Sequence, residues 1–210
     1  MMLKVKICGL QRAEDMEAVN ALRPDYVGFV FAESKRKVTE QTAMELKEKL
    51  HPQIKAAGVF VNEQPEKIIR LCERKIIDLI QLHGDEDENE IRRLKNGTDT
   101  PVIKAVRVRS REQILKAQEL PCEYLLLDTY QPGMYGGSGK QFDWNLIPKM
   151  EKPYFLAGGL NAQNIWQAVQ ACNPYAVDVS SAVETDGRKD PKKMKQLMQV
   201  IDQIRWRIER

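Results

Sequence analysis

One feature constrains this chain more than any other. Short apolar runs give way repeatedly to polar stretches with helical spacing, at a period of roughly 25 residues. The candidate strands are 4–8, 25–31, 54–61, 77–82, 102–106, 124–128, 154–157 and 176–179. Several are continuously apolar, including Tyr26-Val27-Gly28-Phe29-Val30-Phe31, Ala56-Ala57-Gly58-Val59-Phe60-Val61 and Tyr124-Leu125-Leu126-Leu127. Runs of that kind suit a parallel sheet covered on its faces, where alternate side chains on both sides escape water.

The stretches between carry helix signals. Ser110-Arg111-Glu112-Gln113 and Asp85-Glu86-Asp87-Glu88 have the look of capping boxes, the second with Asp in place of Ser. Asp190-Pro191 supplies an N-cap followed by a proline whose missing N–H costs nothing there. Beyond it Met194, Leu197, Met198, Ile201 and Ile204 form one apolar stripe. Asn161 is placed to cap the helix bearing Ile165, Ala168 and Val169.

Strict β–α alternation predicts an α/β fold, because parallel neighbours need crossover connections. About eight units favour a closed (β/α)8 barrel over an open doubly wound sheet, and no G-x-G-x-x-G turn follows the first strand. With no linker, low-complexity segment or break in composition, residues 1–210 are expected to form a single domain.

Composition then excludes several function classes. An apolar share of 42% with 30% charged residues is that of an ordinary globular protein. The net charge is only +3, with Lys and Arg interleaved among Asp and Glu, so no nucleic-acid partner is expected. No apolar run reaches the length of a membrane span, and no signal-peptide pattern precedes Leu3-Lys4-Val5-Lys6-Ile7. Cys8, Cys72, Cys122 and Cys172 lack zinc-site spacing, and only His51 and His83 could add imidazole ligands, so no metal site is expected. Reduced thiols in the cytoplasm are the expectation.

In a barrel of this kind the chemistry gathers at strand C-termini and the loops that follow. Reactive residues fall there: Cys8 ends the first strand, His83 follows the fourth and Asp128 ends the sixth. Gly158-Gly159 follow the seventh, and Asp178-Val179-Ser180-Ser181-Ala182-Val183-Glu184 leaves the eighth. Glycines let backbone approach an anion, hydroxyls and helix N-termini donate to it, and the last two barrel loops often form a phosphate site. Taken singly, Gly-Gly is also an ordinary tight turn and Ser-Ser an ordinary cap. Tyr135-Gly136-Gly137-Ser138-Gly139-Lys140 lacks the spacing of a nucleotide phosphate loop. A mobile cover bringing Lys140 near a substrate anion fits better.

Two residues could move protons. A free thiol has a pKa of about 8.5, and a setting that lowered it would make Cys8 a usable thiolate base. At Asp128, desolvation and a nearby phosphate would raise the carboxyl pKa and favour a protonated acid. In isolation, a buried Cys is as often packing and a strand-end Asp as often a cap.

Taken together these segments resemble the phosphoribosylanthranilate isomerase family nearly end to end. The resemblance is carried by Lys6-Ile7-Cys8-Gly9-Leu10, Gly28-Phe29-Val30-Phe31, Ser34-Lys35-Arg36, Gly58-Val59-Phe60-Val61-Asn62 and Gln81-Leu82-His83-Gly84-Asp85-Glu86. It continues through Leu127-Asp128-Thr129, Gly136 to Trp144, Leu156-Ala157-Gly158-Gly159-Leu160 and Val177-Asp178-Val179-Ser180-Ser181.

The resemblance implies a TIM barrel needing no cofactor, acting on an anthranilate-bearing ribose phosphate in tryptophan biosynthesis, as a monomer or homodimer. It implies Asp128 as general acid and Cys8 as general base. Arg36 would hold the anthranilate carboxylate, with Asp178 and His83 near the substrate, His83 in a less defined role. Gly158, Gly159, Ser180 and Ser181 would bind the phosphate. The family usually has proline at Lys35, threonine at Ser138 and glycine at Ala182; the last places a methyl beside the expected phosphate loop. The related histidine-pathway isomerase carries Asp where Cys8 stands, and a metal-dependent epimerase would need more histidines. A catalytically silent phosphate-binding barrel would not need both Cys8 and Asp128.

Overall fold

The computed structural model describes residues 2–130 and 141–208. Eight parallel strands close into a barrel. In chain order they are β1 (Lys4–Cys8), β2 (Tyr26–Val30), β3 (Lys55–Phe60), β4 (Leu79–Leu82), β5 (Val102–Val108), β6 (Tyr124–Thr129), β7 (Tyr154–Leu156) and β8 (Ala176–Val179). Each begins or ends within two residues of its expected bounds. Closure comes from β1, which pairs with β2 on one side and β8 on the other. In that register Lys6 stands opposite Asp178, and Cys8 opposite Gly28.

The crossovers are α1 (Ala13–Leu22), α2 (Glu40–Lys49), α3 (Pro65–Glu73), α4 (Glu88–Gly97), α5 (Arg111–Ala117), α6 (Ile165–Cys172) and α7 (Pro191–Ile208). Between β6 and β7 the described residues hold only a 3-10 turn at Trp144–Leu146. After β8, a two-stranded antiparallel hairpin, β9 (Glu184–Thr185) and β10 (Arg188–Lys189), precedes α7. No helix among the described residues is long and apolar enough to cross a membrane.

Because strand side chains alternate, the apolar runs serve two layers at once. Val5, Ile7, Val27, Phe29 and Ile80 join the helices in one cluster, which takes in the whole α7 stripe. Tyr26, Ala57, Leu79, Ile103, Leu126, Phe155 and Ala176 form a second cluster from the other face of the strands. Its aromatic members interlock, Tyr26 and Phe155 edge-on at 5.4 Å, with the Tyr26 and Tyr175 hydroxyls 2.7 Å apart. The barrel is thus filled by side chains at its strand N-terminal end, which leaves the opposite end for chemistry.

The capping expectations hold in part, and both expected capping boxes are corrected. Asp190 accepts from the Lys192 and Lys193 N–H groups, and Asn161 accepts from Gln163 and Asn164 at the turn entering α6. Ser110 accepts from Gln113 N–H, but the Gln113 side chain reaches back to Arg109 rather than to Ser110. The acidic run caps α4 through Asp87 and Glu90, which exchange hydrogen bonds reciprocally. Glu86 turns inward instead. It accepts from Lys104 Nζ at 2.6 Å and from the Asn62 and Gly84 N–H groups, tying the loops after β3 and β4 together.

Candidate active site

A cavity of about 530 Å³ opens at the C-terminal ends of the strands, within the range of small-molecule sites. Cys8 reaches it from β1 and Asp128 from β6, although 120 residues of chain separate them. His83 lines it just beyond β4, and Asp178 from β8. Gly158, Gly159, Ser180 and Ser181 form another part of the wall, and Arg36 reaches in from the loop after β2. Lys140 and the glycines at 136, 137 and 139 lie outside the described residues.

The thiol end is the most tightly built. Lys6 is wholly buried on the same face of β1 as Cys8, and its Nζ lies 3.1 Å from both carboxylate oxygens of Asp178. Burial pulls the Lys6 ammonium pKa down, but Asp178 and the neighbouring Cys8 outweigh it and the net shift is upward. For Cys8 the balance goes the other way. Burial pushes the thiol up, and the Asp178 carboxylate adds to it; Lys6 and, less strongly, Lys189 pull it down, and the net shift is upward. The strand-end setting therefore does not lower the thiol, because desolvation and Asp178 together exceed the pull of the two ammonium groups.

Asp128 is buried, with Oδ1 accepting from the Thr129 N–H at 2.7 Å. Its Oδ2 lies 3.2 Å from His83 Nε2, close enough for charge interaction but without hydrogen-bond alignment. On the ring's other side, His83 Nδ1 and Gln81 Nε2 are 2.9 Å apart.

At the glycine pair, both residues adopt left-handed backbone, with φ +83° at Gly158 and +67° at Gly159. A Cβ on Gly158 would sit 2.3 Å from Thr129 Oγ1, so this turn admits no side chain. Asn164 Nδ2 donates to the Gly159 carbonyl at 2.9 Å, fixing the turn against the entry to α6. Ser180 Oγ donates to the Cys8 carbonyl at 3.0 Å, joining β8 to β1 across the seam. Ala182 lines the cavity from a 3-10 turn, and it is not among the described non-glycine residues of positive φ, so alanine stands there without backbone strain.

Three participants escaped the sequence argument: Lys6, Glu184 and Lys189. Lys6 had a local signal, since a period of two puts it on the same strand face as Cys8. Glu184 and Lys189 had none. Glu184 takes the Arg36 guanidinium in a two-point pair, with Nε and Nη2 donating at 2.7 and 2.9 Å, 148 residues away in sequence. Among the described residues no group of three or more His, Cys, Asp or Glu side chains could hold a metal ion.

Fold and cavity define a (β/α)8 barrel whose strand C-terminal mouth brings ionisable groups together around space for a small molecule. The chain belongs to the N-(5'-phosphoribosyl)anthranilate isomerase family, whose model matches residues 5–200. It is 49% identical over 200 residues to the N-(5'-phosphoribosyl)anthranilate isomerase of Endomicrobium trichonymphae, covering 95% of this chain and 98% of the relative. The phosphoribosyl anthranilate isomerase of Thermotoga maritima superposes with a TM-score of 0.85 at 36% identity, over 96% of this chain and all 100% of that one. Another solved member was captured with reduced 1-(o-carboxyphenylamino)-1-deoxyribulose 5-phosphate. It gives a TM-score of 0.81 at 33% identity, over 96% of this chain and 100% of its own.

Proposed function

We propose that this protein isomerises N-(5-phosphoribosyl)anthranilate to 1-(2-carboxyphenylamino)-1-deoxyribulose 5-phosphate, the Amadori rearrangement of tryptophan biosynthesis. The observation that carries this reading is that Cys8 and Asp128 line one cavity together with the Gly158–Gly159 turn, Ser180, Ser181 and Arg36.

Asp128 delivers a proton to the ribose ring oxygen as the C1–O bond breaks. The anthranilate nitrogen lone pair then forms the C1=N bond of an iminium. That cation acidifies C2–H, and the Cys8 thiolate takes the proton as C1=C2 forms. The resulting enolamine gains a proton at C1 and loses its hydroxyl proton to leave the C2 ketone, so atoms and charge balance without metal or cofactor. Acid and base each contribute about 10²–10⁴-fold in typical cases.

Lys6 and Lys189 favour the thiolate against burial, and Lys6 is itself held by Asp178, which also lines the cavity. The phosphate docks at the Gly158–Gly159 turn and the two serines, and Arg36 takes the anthranilate carboxylate. Anchoring both ends of the substrate orients the reacting carbons between acid and base. His83 contacts the substrate beside Asp128, and Lys140 adds a cation from the loop after β6. Residues 1–210 act as a single isomerase domain. Its free thiols suit the reducing cytoplasm.

The direct test supplies freshly made phosphoribosylanthranilate to the purified protein without metal or nucleotide and follows the loss of anthranilate fluorescence. Steady consumption with formation of the aminodeoxyribulose phosphate is expected. A folded protein that leaves the substrate to its spontaneous decay would reject the reading.

A further inference from the structure

Arg36 lines the cavity, whereas Glu184, its partner, does not. The carboxylate therefore stands behind the guanidinium and grips its Nε–Nη2 edge. A guanidinium has five N–H donors, of which this pair uses two, so the Nη1–Nη2 edge remains available. The arginine stem lies close over Gly9, where a Cβ would come within 2.4 Å of Arg36 Cδ.

Glu184 is itself held from behind. Lys189 Nζ donates to its Oε1 at 2.6 Å and to the Ser180 carbonyl at 3.0 Å, and both Glu184 and Lys189 are buried. The two residues face each other across the β9–β10 hairpin. One buried carboxylate thus serves two cations, Arg36 and Lys189, with the more exposed Lys35 ammonium 4.0 Å away. Burial pushes the Glu184 carboxyl up, but Arg36 and Lys189 more than reverse it and keep it ionised. The cluster is left with an excess of positive charge beside the cavity, and a second carboxylate would balance it.

We propose that Glu184, braced by Lys189, is a positioning residue that aims the free edge of Arg36 at the substrate's aromatic carboxylate. The β9–β10 hairpin then selects substrates bearing that carboxylate over those lacking it. This inference rests on the proposed function, which assigns Arg36 to the carboxylate.

The test compares wild type, Glu184→Gln, the charge-balanced double variant Glu184→Gln with Lys189→Met, and Arg36→Met. Turnover is measured with phosphoribosylanthranilate. Calorimetry measures binding of the reduced product, 1-(2-carboxyphenylamino)-1-deoxyribulose 5-phosphate in its reduced form, and of its phenylamino counterpart without the carboxylate. Glu184→Gln is expected to raise KM about tenfold and hold kcat within about threefold, the signature of a charge-assisted two-point contact loosened in ground and transition states alike. Its preference for the carboxylate-bearing ligand should fall about tenfold. Affinity for the carboxylate-free ligand should stay put, whereas general damage to the fold would weaken both ligands together. If Glu184→Gln alone fails to fold, the double variant reports the same loss of ligand preference by calorimetry, a readout that does not pass through the thiol that Lys189 also influences.

An unchanged preference in the Glu184 variants, alongside its loss in Arg36→Met, would overturn the inference and leave the proposed function standing. A preference that survives Arg36→Met would remove Arg36 from the carboxylate site, and this inference with it.

Discussion

The Lys6 ammonium and the Asp178 carboxylate meet in the barrel wall at 3.1 Å, one residue away from the Cys8 thiol along the same strand face. With Lys6 fully buried, its ammonium is a fixed positive charge that favours the thiolate required by the proposed reaction, while the Asp178 carboxylate that holds it partly opposes that effect.

Replacing Lys6 by Met should act on the thiol and on the fold separately. Breaking a buried pair from one side costs about 3–5 kcal/mol, because the remaining carboxylate is left uncompensated. The double variant Lys6→Met with Asp178→Asn removes both charges and should recover most of that loss in a denaturant melt. It should nevertheless keep kcat/KM at neutral pH about tenfold or more below wild type, since the thiol has lost its strongest cationic neighbour and removal of the opposing Asp178 charge offsets only part of that loss. Recovery of activity together with stability would show Lys6 to be purely structural.

The wild-type pH profile follows from the direction of the Cys8 shift. The thiol sits above its ordinary value, so across neutral pH the thiolate is a minor form that grows about tenfold per unit. The free-enzyme quantity kcat/KM should climb from pH 7 towards pH 9 rather than plateau. A flat profile over that interval would argue against Cys8 as the base.

Cys8→Ser and Asp128→Asn should each lower kcat by about 10²–10⁴-fold while the circular dichroism melt changes little. Both substitutions preserve size, and both sites face the cavity rather than the helix-packed layer. Full activity in either variant rejects the role given to that residue.

Gly158→Ala should cost stability and binding together. A left-handed backbone and the 2.3 Å approach to Thr129 Oγ1 make strain of about 1–3 kcal/mol reasonable. For a chain of this size that corresponds to a fall in Tm of roughly 3–10 °C. KM should rise as the turn shifts away from the phosphate. A variant with unchanged KM would place the phosphate elsewhere.

Much of this architecture was legible because its signals are local. Short apolar runs marked every barrel strand, several of them continuous, and the Asp190-Pro191 cap and the Asn161 turn before α6 could be read from a few residues. The α4 cap, expected at Asp85 and Glu88 but formed by Asp87 and Glu90, shows where locality ends. Four neighbouring acids offer several plausible caps, and Glu86 is drawn inward by Lys104, eighteen residues away on β5, together with the Asn62 and Gly84 N–H groups. Arg36 was recognisable as an anion-binding residue, but its pairing with Glu184 was not, since nothing near either residue encodes the other.

The seam between β1 and β8 has a consequence for how the enzyme comes into being. Cys8 ends the first barrel strand, yet its Lys6–Asp178 support and the Ser180 tether come from the eighth, at the other end of the barrel's sequence. Without the β1–β8 pairing the thiol has neither of these supports, so closing the barrel and assembling its mouth are one and the same event.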